Sequence, residues 1–304
     1  MNHVYRNQRI EGTTVWGIIH NGPHYFLNTI GVYEDGIISC WNKNDLWQFK
    51  DKLNRGWVVT SIPTDESVSI FQLGNFKIKD AVWNYNPNQY YQYIKNVVKQ
   101  LNPEMKNLYH TTPREIDKWN KHRVDFSAEF TPFKLTSSVG YFCSDGKQSY
   151  IFYRKDFCLY LTTITAYKDG TLKIALDDNY YSWEEVEQFF KDGILCVTPK
   201  ENEWVIIPDF GKVLLEKASS TISASSKKVS IQEMRKEAMN EPSAHDLCIE
   251  AYYQYLIEPC DINKEQLRKA YEAVPEFERC YLGDMDTRDT DFVRILYSNE
   301  KRMV

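Results

Sequence analysis

The chain is poor in most of the signals that announce a function. No stretch of its 304 residues approaches 18 consecutive apolar positions, and Met1-Asn2-His3-Val4-Tyr5-Arg6 has no apolar core behind it. Neither a membrane span nor a secretory leader is expected, so the chain reads as soluble and cytoplasmic. The seven cysteines, Cys40, Cys143, Cys158, Cys196, Cys248, Cys260 and Cys280, are odd in number and scattered. They form no CxxC pair and have no histidine at zinc-ligand spacing, which excludes a disulfide framework and leaves reduced thiols. GxSxG, HExxH, GxxxxGK[ST] and a helix-opening GxGxxG are all missing, so no nucleophile elbow, zinc protease, P-loop or dinucleotide fingerprint is present and no cofactor is implied. With 37 Lys+Arg against 42 Asp+Glu and a pI near 5.8, there is no basic stripe for nucleic acid.

What the chain does have is an internal duplication. Tyr33-Glu34-Asp35-Gly36 returns as Tyr167-Lys168-Asp169-Gly170, and Gly56 returns as Gly193. The polar gaps that open at Pro63 and Pro199 match as well. Asp-Gly between aromatic and β-branched runs (25–33 with 37–41, then 159–167 with 171–175) predicts a hairpin in each copy, because such turns need positive φ. A helix follows. Leu46, Phe49 and Leu53 keep apolar spacing behind Asn44 or Asp45 as cap; Trp183, Val186 and Phe190 repeat the spacing behind Ser182, whose partner Glu185 completes a capping box. Strands are expected next at 57–62 with 68–73, and at 194–197 with 204–207. Trp47, Trp57, Trp183 and Trp204 are expected in the cores.

The predicted fold class is α+β: two tandem-duplicated antiparallel sheet-plus-helix modules followed by a small, mainly helical C-terminal segment. Residues 1–103 form the first module, ending in a helix over 88–101 with Tyr91, Ile94, Val97, Val98 and Leu101 inward. Residues 104–135 bridge to the second module, with a short helix started by Thr112-Pro113-Arg114-Glu115. The second module opens with a strand at 139–143 and spans 136–217. The Ser-rich stretch 218–229 reads as a flexible linker, and 230–304 as the helical segment, with Ser230 starting its first helix. Within that segment Leu247, Cys248, Ala251 and Tyr255 are expected inward on one helix, and Asn263 caps the next. Residues 241–304 hold 8 Lys+Arg and 14 Asp+Glu, so the surplus acidity of the chain is concentrated there.

Four carboxylates in that segment, Asp284, Asp286, Asp289 and Asp291, form the one cluster with a chemical reading. Counted from Asp284, a calcium loop would need Gly at position 6 and Glu at 12, where Asp289 and Ile295 stand, so the EF-hand pattern fails and no metal site is assigned. An acidic surface for a cationic partner, or a turn whose aspartates cap helices, fits better. His20 with His24, and the basic run Lys118, Lys121, His122, Arg123 beside Trp119, lack the further ligands or the net charge that a metal or phosphate site needs. His110, beside Tyr109 and Thr111, is the most enclosed histidine and reads as structural.

Tyrosine is the remaining signal. Tyr-Tyr-Gln-Tyr occurs at 90–93 and at 252–255, each time on a helix downstream of a module. A helix buries only part of such a run, so Tyr90, Tyr93, Tyr252 and Tyr253 are candidates for an interface, where a ring is covered and its hydroxyl stays wet.

The duplicated modules, with Tyr271-Glu272-Ala273-Val274-Pro275-Glu276 leading into Leu282-Gly283-Asp284-Met285-Asp286, resemble uncharacterised bacterial proteins, some of them taken for immunity partners of polymorphic toxins. The resemblance carries over no catalytic residue. It implies a binding protein that blocks a partner, and the acidic tail makes that partner a basic protein. Two other readings stay open: an enzyme or small-ligand binder with its site between the two lobes, and a non-catalytic subunit of a bacterial defence assembly.

Overall fold

The computed structural model describes residues 2–5, 8–111, 141–143, 146–217, 221–239, 241–283 and 287–298. In chain order the first copy contains β1 (Asn2–Tyr5), β2 (Gln8–Asn21), β3 (His24–Tyr33), β4 (Ile38–Cys40), β5 (Asn42–Asn44), α1 (Leu46–Asn54), β6 (Val58–Val59), β7 (Ser67–Ile70), β8 (Gly74–Trp83) and α2 (Pro87–Leu101). After β9 (Tyr141–Cys143) the second copy follows as β10 (Lys147–Lys155), β11 (Cys158–Ala166), β12 (Leu172–Ile174), β13 (Tyr180–Tyr181), α3 (Trp183–Lys191), β14 (Leu195–Cys196), β15 (Trp204–Ile207), β16 (Gly211–Lys217) and α4 (Ala224–Ala238). The C-terminal segment is α5 (Ala244–Ile257), α6 (Asp261–Ala273), a 3-10 turn (Glu276–Tyr281) and α7 (Thr290–Tyr297).

The duplication is visible in the pairing register. In the first copy β3 runs parallel to β7, with Tyr25 opposite Val68; in the second, β11 runs parallel to β15, with Leu159 opposite Val205. Asp-Gly turns close both copies' hairpins, with φ of 77° at Gly36 and 81° at Gly170, a region that glycine enters without a Cβ clash. Asp45 turns out to be the cap of α1: its carboxylate accepts from Gln48 N at 2.7 Å while Gln48 reaches back to Asp45 N. Ser182 and Glu185 make the reciprocal box on α3.

By contacts the chain forms two compact units. The first holds Met1–Asp145, Arg154–Leu161 and Thr198–Thr221. Its sheet has the order β9-β1-β2-β3-β7-β8-β16-β15 and continues into the start of β11, antiparallel except between β3 and β7 and between β15 and β11. The closing strands of the two copies, β8 and β16, pair with each other across seven positions, with a bulge between Leu214 and Leu215. Gly211 permits that approach, since a Cβ there would stand 2.4 Å from the Val82 carbonyl oxygen. Helix α2 covers the unit with Tyr90, Ile94, Val97 and Val98 buried.

The second unit holds Gly146–Tyr153, Thr162–Val197 and Ile222–Val304. Here Phe152 of β10 pairs with Cys196 of β14, and Ile164 of β11 with Ile174 of β12. The C-terminal helices own a separate core of Cys248, Leu267, Tyr271, Val274, Leu282, Phe292 and Leu296.

Several expectations need correction. Residues 224–229, read as linker, form the first turns of α4, which therefore starts at Ala224 and not at Ser230, because Ser223 supplies the cap by accepting from Ser226 N. The opening strand of the second copy is β10, whereas β9 pairs with β1. Tyr90, rather than Tyr91, lies in the buried stripe of α2. Trp47 is 68% exposed, because it stands nearly opposite the face of α1 that buries Phe49 and Leu53. Trp57, Trp183 and Trp204 are half-buried, and lysines lie over two of these rings, Lys52 on Trp57 at 3.7 Å and Lys212 on Trp204 at 4.9 Å. Helix α6 begins at Asp261 behind Cys260, which makes no side-chain cap bond, and Asn263 Nδ2 instead donates back to the Glu258 carbonyl. Leu247, expected inward, is exposed. The short helix expected at Thr112, and the basic run near Trp119, lie outside the described residues.

Candidate functional site

Helix α5 begins at a complete cap: Ser243 Oγ accepts from Asp246 N, and Asp246 Oδ2 accepts from Ser243 N. Beyond it the sequence places apolar side chains all round the helix: Leu247, Ile249, Tyr252, Tyr253, Tyr255, Leu256 and Ile257. A helix of that kind is normally covered on every side. Only Cys248 is fully buried on this one, packed into the C-terminal core, with Tyr252 beside it against Phe292 at 4.6 Å. On another side Tyr253 is 60% exposed and Ile257, one turn on, 78%; Ile262 at the start of α6 is 70% exposed. Glu250, Glu258 and Asp261 stand exposed among them, and no Lys or Arg occurs between residues 241 and 263. The tip of the α5–α6 hairpin therefore carries an uncovered apolar patch with a carboxylate rim.

The acidic cluster behaves differently. Asp289 Oδ2 accepts a 2.7 Å hydrogen bond from Tyr271, which belongs to the core. Burial, and next this bond to a carboxylate, push the Tyr271 phenol up to about 12. Asp291 pairs with Arg294 on its own helix at 2.8 Å. Asp284 and Asp286 lie outside the described residues. Among the described residues no three of His, Cys, Asp or Glu converge as metal ligands. The tyrosines also divide: Tyr253 faces outward and Tyr252 packs inward, while Tyr93 is half-buried and stacks on Tyr85 at 5.1 Å. Tyr90 is no contact residue, since it is wholly buried and its hydroxyl donates to the Trp16 carbonyl at 2.7 Å. That corrects its assignment to an interface.

A domain of unknown function, DUF7638, matches residues 1–105 and again 135–242. The chain belongs to the DUF7638 family. A second domain of unknown function, DUF7639, matches residues 243–303, the stretch that owns the separate helical core. No curated protein and no solved structure matches the chain. No helix among the described residues is long and apolar enough to cross a membrane.

Each DUF7638 copy thus includes its trailing helix, and comparing those helices exposes residues that the sequence reading missed. Tyr90, Ile94 and Val97 of α2 correspond to Lys227, Ile231 and Met234 of α4, each 137 residues later and each buried. Where the first copy anchors helix to strand through Tyr90 and Trp16, the second does so through Lys227, whose Nζ donates to Ser149 Oγ of β10 at 2.5 Å. Lys227 is fully buried, and loss of hydration pushes its amine down to about 7, opposed by Glu278. Glu278 is raised in turn by burial and accepts from Ser230 at 3.0 Å. Serine beside a lysine whose amine is pushed down by burial has the residue types of a nucleophile and its base. Both are sealed from solvent, so the pair joins helix to strand and offers no access to a substrate.

Proposed function

We propose that the chain is a protein-binding module, a cytoplasmic inhibitor of the immunity kind, which caps a basic surface on its partner with the tip of the α5–α6 hairpin. The observation that carries this reading is the uncovered apolar patch of Tyr253, Ile257 and Ile262 beside the exposed carboxylates Glu250, Glu258 and Asp261, none of which forms an ion pair among the described residues. Apolar anchors ringed by one sign of charge suit a partner surface that offers apolar pockets between lysines and arginines. The anchors supply affinity once water is expelled, and the rim draws the partner in and sets its orientation.

The experiment compares the full chain with Tyr253→Asp/Ile257→Asp as bait in lysate of the native host, at about 50 and about 500 mM salt. A basic protein held by the wild type, released at high salt and not held by the variant is the expected result. Equal retention by both baits would overturn the assignment of the surface.

A further inference from the structure

Asn88, Gln89, Gln92, Tyr93 and Asn96 on α2, with Tyr85 just before it, line a shallow groove of about 420 Å³ in the first unit. Its aromatic wall is packed ring against ring. Tyr85 and Tyr93 stack with rings 24° apart, Tyr93 stacks on the buried Tyr90, and Phe210 meets Tyr90 edge-on at 5.5 Å. The polar wall consists of amides. Among the described residues Asn88, Gln92 and Asn96 have no hydrogen-bond partner for their side chains, whereas Gln89 spends one oxygen on the cap of α2. No Lys or Arg lines the groove, and the one charged group acting on both tyrosines is the exposed Asp209 carboxylate.

We propose that this groove binds a neutral oligosaccharide, with the C–H face of a sugar ring against the Tyr85–Tyr93 pair and its hydroxyls bonded to Asn88, Gln92 and Asn96. The lining dictates the class. Amides both donate and accept, as hydroxyl groups require. The two half-buried phenol rings supply the apolar part of the lining, against which the C–H groups of a sugar pack. A nucleic-acid strand would stack equally well, yet its phosphates would find no cation in the lining. The second copy has Lys227 and Ser230 in place of Tyr90 and Tyr93, so the aromatic wall belongs to the first copy alone. This site is independent of the α5–α6 reading, which concerns other residues in the other unit.

The test is a titration of the full chain with cellotetraose, maltotetraose and chitotetraose, each to about 10 mM, followed by calorimetry and by the side-chain amide signals of Asn88, Gln92 and Asn96. At least one sugar is expected to bind with Kd of roughly 0.1 to 1 mM and to move those signals. Two separate variants, Gln92→Ala/Asn96→Ala and Tyr85→Leu, are expected to weaken it about fivefold or more at unchanged thermal stability. If one of them fails to fold, the other still decides. No binding by any of the three sugars, binding that both variants leave intact, or preferential binding of the oligonucleotide (dT)8 would overturn the proposal.

Discussion

Lys227 and Tyr90 occupy one position in two copies of one fold, 137 residues apart, and each reaches from its trailing helix to a hairpin strand, Lys227 to Ser149 and Tyr90 to Trp16. The duplicated architecture thus keeps a polar tie between helix and sheet while changing its chemistry from a phenol to an amine. Two phenols or two amines would titrate alike; a phenol and an amine do not, and this separates the copies experimentally.

The amine makes the second copy sensitive to pH. Burial holds Lys227 near 7 in the folded chain, whereas its ordinary value is 10.5. Between those values the unfolded chain carries a proton that the folded chain does not, so stability rises with pH across the window, by on the order of 1 kcal/mol per pH unit. Below about 7 both states are protonated and the cost of the buried charge is complete. Thermal melts of the wild type and of Lys227→Met/Ser149→Ala at pH 7.5, 8.5 and 9.5 should show the wild type gaining stability relative to the variant as pH rises. A constant difference would mean that Lys227 is charged when folded.

The phenol gives a contrasting result. Tyr90→Phe removes the bond to the Trp16 carbonyl without opening a cavity, and it should cost about 1 to 2 kcal/mol. Because Tyr90 is held far above its ordinary value by burial, that cost should stay flat from pH 7 to 9.5. The same melts check it.

Asp289 and Asp291, neighbours in one acidic cluster, should respond oppositely. Asp289→Ala strands the core Tyr271 hydroxyl and is expected to cost about 1 to 2 kcal/mol. Asp291→Ala loses an exposed i,i+3 pair with Arg294 and should stay within about 0.5 kcal/mol. Chemical denaturation of the two variants decides, and equal losses would count against a structural role particular to Asp289.

Much of this is legible in the sequence alone. Local signals carried it: Asp-Gly turns, the Ser182 and Glu185 box, and the apolar spacing of Phe49 and Leu53 all act within a few residues. What was hidden depends on distant partners. Nothing in strands β3 and β7 announces that they run parallel, since their pairing joins residues 43 apart, Tyr25 and Val68. The first turns of α4, rich in Ser and Lys, have the composition of a linker, and Lys227 becomes a core residue only because Ser149, Ser230 and Glu278 converge around it. Leu247 was misplaced for a different reason: α5 is apolar on every side, so its periodicity singles out no inward face. That ambiguity is itself the mark of the proposed contact surface.

The carboxylate rim around that surface has its own test, separate from the apolar anchors. Glu250, Glu258 and Asp261 are exposed, and reversing an exposed charge that lies outside an ion pair changes stability little, within about 0.5 kcal/mol. Its effect on association is larger, because steering acts on the encounter before any contact forms. For Glu250→Lys/Glu258→Lys, stopped-flow binding to the captured partner at about 50 mM salt should show association slowed roughly tenfold or more, with dissociation changed less. Raising salt to about 500 mM should bring variant and wild type together, because screening removes the field that the variant has lost. If the variant instead slows association equally at both salts, the rim acts by direct contact, and the partner surface need not be basic.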